Sequence, residues 1–90
     1  MPRFLLTHKV KRTYETQDEW VEDWRGLRQR ARTDPCWLRS WYAASTRKLY
    51  CEWEAETIDS IRACLGPEEL EKAPIEEVEE VAFLDAAWLD

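Results

Sequence analysis

Residues 36–56, CWLRSWYAASTRKLYCEWEAE, constrain the fold more than any other part of the chain. Two runs, Trp37 to Ala44 and Lys48 to Ala55, alternate apolar with polar side chains, the period of a half-buried strand. The polar Ser45-Thr46-Arg47 between them makes the pair a hairpin. In the second run Leu49, Cys51, Trp53 and Ala55 form the more apolar row, and Tyr50, Glu52, Glu54 and Glu56 form the other. The first row is expected to meet helices. The second keeps an aromatic, so its side of the sheet is not a pure water face.

Thr16-Gln17-Asp18-Glu19 reads as a capping box, in which the Thr16 hydroxyl and the Glu19 carboxylate each accept from the other's amide. The helix it opens carries Trp20, Trp24, Leu27 and Ala31 as one apolar stripe. Asp18, Glu19, Glu22 and Asp23 near its start, and Arg25, Arg28, Arg30 and Arg32 toward its end, complement the helix dipole. Gly26 lowers its propensity by about 1 kcal/mol relative to Ala, and Asp34-Pro35 stops it. Thr57 caps a second helix bearing Ile58, Ile61 and Leu65, with Gly66 expected to close it and Pro67 to open a short helical turn, PEELEK. Phe4 to Lys11 and Val78 to Leu84 supply a first and a fourth strand pattern.

The order β-α-β-β-α-β is the split arrangement of ferredoxin-like folds. It implies one α+β domain over residues 1–90, a four-stranded antiparallel sheet with two helices on one face. The other face is left bare. Phe4, Leu6 and His8 are expected to share it with Tyr50 and Glu52, and an apolar patch of that kind needs cover. A second copy offering the same face gives a homodimeric α/β barrel, its ligand cavity lined by Phe4, Leu6, Tyr50 and Glu52. The tail DAAWLD, with Trp88 and Leu89, is expected to reach onto the partner.

Size supports a partner as well. A 90-residue chain buries only about 60–65% of the surface its unfolded form exposes. Residues 1–48 hold eleven Lys/Arg against six Asp/Glu and residues 49–90 hold two against thirteen, so +5 and −11 make the net charge of −6. The acidic second half repels phosphates, which argues against a nucleic-acid partner. No apolar run approaches the roughly 20 residues of a membrane span. The start MPRFLLTHK has neither the apolar region nor the cleavage site of a signal peptide, and the expected location is cytoplasmic. Cys36, Cys51 and Cys64 are odd in number and lack metal-site spacing, so Cys51 and Cys64 read as small core residues.

The strand motifs resemble a family of small bacterial ferredoxin-like proteins that includes a nickel-binding protein. Its opening motif, close to M-P-x-F-x-D-x-H, is met by Met1, Pro2, Phe4 and His8, and its third-strand motif, roughly F-C-x-x-E-A, by Tyr50, Cys51, Glu54 and Ala55. Trp41 falls where the family carries an aromatic pair. The resemblance implies the fold, the dimer and a nickel-like divalent ion held by His8 and Glu54, with Tyr50 or Glu52 in support. Leu6 stands at the family's acidic position, and the second helix lacks the family's histidines.

The residues themselves leave His8 with two readings. An imidazole and a carboxylate on adjacent strands suit nickel or zinc. A lone His bonded to Glu54 or to a backbone group needs no metal, and one His with one carboxylate falls short of three or four ligands. Glu52, Glu54 and Glu56 read as acid–base groups or as a charged face paired with Arg39, Lys9 or Lys11. No nucleophile–base set and no glycine-rich phosphate loop is visible. The function expected is therefore non-catalytic binding of a metal ion or small ligand in the dimer cavity. The alternatives are a small enzyme of monooxygenase or isomerase type, resting on fold analogy, and an interaction module without ligand.

Overall fold

The capping box forms as its sequence requires and opens the longest element of the chain. In the computed structural model, which describes residues 1–90, Thr16 Oγ1 accepts from the Glu19 amide at 3.2 Å and Glu19 Oε2 accepts from the Thr16 amide at 3.3 Å. Helix α1 (Gln17–Arg30) follows, with Asp18 and Glu19 in its first turn and Arg28 and Arg30 in its last. Trp24, Leu27 and Ala31 are buried and Trp20 is half-buried, so the apolar stripe faces the core. Thr16→Ala removes the cap bonds from a solvent-facing helix start and is expected to cost about 1 kcal/mol in a urea melt.

Four strands, β1 (Arg3–Lys9), β2 (Cys36–Ala43), β3 (Lys48–Glu54) and β4 (Ile75–Val81), form one antiparallel sheet in the order β2-β3-β1-β4. Two helices, α2 (Ile58–Cys64) and α3 (Pro67–Lys72), join β3 to β4, and a single 3₁₀ turn spans Ala86–Leu89. The α+β ferredoxin-like topology is therefore present, and the short helical turn expected at PEELEK forms as α3. Arg30 Nε donates to the Cys64 carbonyl at 3.3 Å and Lys72 Nζ to Asp23 Oδ1 at 2.6 Å, which ties α2 and α3 to α1 on one side of the sheet. Thr57 caps α2 by accepting from the Ser60 amide. Gly66 does not close that helix in a left-handed turn. It has φ −78° and stands as the residue before Pro67 at the start of α3.

β4 lies closer to the N-terminus than its apolar pattern suggested. Pairing with β1 sets Ile75 opposite His8 and Val78 opposite Leu6, and it ends at Arg3–Val81, where β1 itself begins. Ala82, Phe83 and Leu84 have no strand left to pair with. No helix of the chain is long and apolar enough to cross a membrane.

Register decides which side chains share a face, because residues directly opposite in an antiparallel ladder point the same way. Phe4 is opposite Trp53, Leu6 opposite Cys51 and His8 opposite Leu49. Phe4, Leu6 and His8 thus belong to the helix-covered side, not to the open face where they were expected. Leu6, Trp53 and Ile61 are completely buried there. Phe4 and Leu6 consequently line the core rather than a cavity between subunits. Cys51 sits in the same layer, where burial pushes its thiol up to about 12, partly offset by the Ser40 hydroxyl 2.9 Å away. Such a thiol stays protonated and packs as a small apolar group.

Candidate functional site

With the helices on one side, the open face of the sheet is built from the alternate residues. β1 contributes Arg3, Leu5 and Thr7, and β3 contributes Tyr50, Glu52 and Glu54, by the pairs Arg3–Glu54, Leu5–Glu52 and Thr7–Tyr50. A register shift between Trp37 and Arg39 then changes the parity of β2. Trp37 lies opposite Trp53 on the core side, whereas Arg39 lies opposite Glu52 and Trp41 opposite Tyr50 on the open side. This bulge puts an arginine, rather than Leu38, beside Glu52.

The centre of the face is a charged cluster. Arg3 Nη1 donates to Glu52 Oε2 at 2.9 Å, and Arg39 Nε lies 3.1 Å from Glu52 Oε1. Arg3 Nη2 also donates to Glu54. The Glu52 side chain is only 8% exposed, so one nearly buried carboxylate is clamped between two guanidiniums. A buried charge held this way is tolerable because each oxygen has a cationic partner. The Arg3 guanidinium also lies 4.7 Å from the Phe83 ring centroid, which fixes the start of the tail. Around the cluster Leu5 and Tyr50 are half-buried, and Trp41 is 52% exposed.

Of the residues singled out from the sequence, the structure brings Tyr50, Glu52 and Glu54 to this face and removes Phe4, Leu6 and His8 from it. His8 and Glu54 point to opposite sides of the sheet, so they cannot share an ion. His8 Nδ1 lies 2.8 Å from the Ala73 carbonyl oxygen, whose only chemical option is to accept, and Nδ1 therefore carries the proton. Its Nε2 is buried without a partner, and burial pushes the imidazole below the ordinary histidine value. Glu54 is committed to Arg3. No three His, Cys, Asp or Glu side chains converge in a way that could hold a metal ion. The donor set present does not fit a nickel centre at His8 and Glu54.

Sequence reasoning named Arg39 as a partner for the glutamate row, and the Arg39–Glu52 pair is present, but it missed Arg3 as the partner of both glutamates and the bulge that aims Arg39 at Glu52. A strand read as regular alternation puts Trp37, Arg39 and Trp41 on one face. The usable signal was Glu52 itself, a carboxylate at the middle of a central strand, which demands cationic neighbours. Comparison with protein-family models, with curated proteins and with solved structures finds no match to this chain.

Proposed function

We propose that the chain is a non-catalytic binding protein that works as a homodimer, its two open sheet faces stacked around a pocket for a small organic acid. The observation that carries this reading is the Glu52 carboxylate, nearly buried between Arg3 and Arg39 on a face that also presents Leu5, Tyr50 and Trp41. A stacked second copy removes those apolar groups from water. Arg39 uses only its Nε on Glu52. Its side chain is more than half exposed, and its two Nη groups are free to bind a carboxylate side by side. The resemblance to the family with a nickel-binding member supports the dimer, but the position of His8 moves the ligand from a metal to an organic anion. Support for binding over catalysis comes from the chemistry of the core. The lone imidazole and the Cys51 thiol are both sealed beneath the sheet.

Light scattering at tens of micromolar is expected to give twice the mass of the chain. Leu5→Glu is expected to give a folded monomer, because two copies of the new charge meet between the faces. A native protein that scatters as a monomer overturns the dimer. Thermal melts with a panel of small carboxylic acids, run beside Arg39→Gln, test the pocket. At least one acid should raise the melting temperature of the native dimer and not that of the variant. Shifts equal in the two proteins, or none in either, overturn the pocket.

A further inference from the structure

The residues after β4 and the groove beside β2 are complementary in shape, polarity and charge. Past Val81 the chain exposes Leu84, Trp88 and Leu89, each more than 60% accessible, within one short segment. That segment holds Asp85 and Asp90, and no Lys or Arg occurs after Lys72. On the helix side of the sheet, where α1 crosses β2, a groove of about 360 Å³ is walled by Trp20, Trp24 and Trp37. Arg25, Arg28 and Arg39 stand along it and no carboxylate lines it; Arg25 meets Glu22 and Arg39 meets Glu52 through Nε alone, and Arg28 gives Nη1 to the Ala31 and Trp37 carbonyls. In a chain of net charge −6, an indole groove fringed by three guanidiniums suits an acidic, aromatic peptide.

We infer that in the homodimer each tail docks into the Trp20–Trp24–Trp37 groove of the other copy, with Trp88 and Leu89 against the indoles and Asp85 and Asp90 toward Arg25 and Arg28. This rests on the homodimer proposed above and adds where its tail goes. The tail does not serve its own groove. Phe83 is held over Arg3 and packs edge-on against Trp88 with ring centroids 5.4 Å apart, which keeps the segment on the β1–β4 side. The groove lies across the sheet at β2, about 14 Å away at the usual strand spacing and on the opposite face. Stacking the open faces about a two-fold axis parallel to the strands removes the lateral part of that separation. The order β2-β3-β1-β4 then places β4 of one copy over β2 of the other, and because β2 is an edge strand the tail has only to turn round that edge to reach the partner's helix-side groove. The groove also extends to Arg39, which belongs to the open face, so the two contacts form one continuous interface. Two such exchanges per dimer are related by the symmetry.

The test uses the full chain, two variants and their mixture. On the tail, Trp88→Ala with Leu89→Ala removes the anchors. In the groove, Val21→Asp puts a carboxylate at a position that lines it and is 42% exposed, so the helix tolerates the change. Circular dichroism should show both variants folded. Sedimentation equilibrium is expected to show the dimer weakened at least tenfold in each. Mixing the two restores one intact tail–groove pair, so a heterodimer should form more tightly than either variant alone. Three results overturn the docking while leaving the homodimer standing: full-strength dimers in both variants, weakening by the tail change alone, or no gain on mixing. A native chain that stays monomeric at every concentration overturns both. A groove that binds a small aromatic anion such as anilinonaphthalene sulfonate equally well in the intact dimer and in the tail variant is open in the assembly, and it also overturns the docking.

Discussion

Leu6→Glu is expected to leave no folded protein. Leu6 has no exposed surface, lies on a central strand, and is flanked by Cys51 on β3 and Val78 on β4. Removing its side chain alone, as in Leu6→Ala, should cost about 2–5 kcal/mol, because strands on both sides prevent the site from collapsing. A glutamate adds an unpaired charge in the core, a penalty of several kcal/mol more. Domains of this size hold only about 5–15 kcal/mol in total. Far-ultraviolet circular dichroism should show an unfolded chain without a cooperative melt, while Leu5→Glu, one residue away, keeps the native spectrum. A Leu6→Glu protein that folds and has merely lost its partner means that the two faces of β1 are assigned the wrong way round.

That contrast also marks the limit of what the sequence made legible. The elements and their order followed from local signals that act within a few residues: the Thr16 box, the Trp20–Trp24–Leu27 stripe, the Thr57 cap and the alternation of β3. β3 showed its own faces because one row, Leu49, Cys51 and Trp53, is plainly the more apolar. β1 did not. Phe4, Leu6 and His8 on one side and Leu5 and Thr7 on the other are nearly balanced, and only pairing with β3 breaks the tie. Register is a non-local property, and a slip of one residue exchanges the faces completely. The same cause explains β2, where one bulge decides whether Leu38 or Arg39 meets Glu52. The candidate site was therefore half visible. Its glutamates and Arg39 as their partner were legible, but Arg3 and the bulge that aims Arg39 come from strands whose parity no short pattern fixes.

Stability should fall steadily as the pH drops below about 6.5, and His8 should be the reason. The imidazole is 2% exposed in the folded chain, its Nδ1–H donates to the Ala73 carbonyl, and a proton added to its buried Nε2 would find no hydrogen-bond acceptor. Burial disfavours the cation and holds the group below its ordinary value, although the bond to Ala73 opposes part of the shift. The unfolded chain has no such restraint and takes up its proton near pH 6.5. Below that pH the unfolded state binds more protons than the folded one. Stability is thus fully present above about 6.5 and declines as the pH falls toward the lowered folded-state value, by at most about 1.4 kcal/mol per pH unit. The loss between pH 7.5 and 5 therefore reports how far burial has lowered the folded-state value. His8 is the only histidine, and unfolded carboxylates titrate near 4, so no other side chain of ordinary pKa competes in this window. Urea melts of the native protein and of His8→Gln at pH 7.5, 6.5, 5.5 and 5 separate the effect from general acid sensitivity. The glutamine amide can still donate to Ala73 but does not titrate, so the variant should start less stable and lose almost nothing over the range. Parallel profiles in the two proteins mean that the imidazole reaches water in the folded chain, and the helix-side placement of His8 then falls with it.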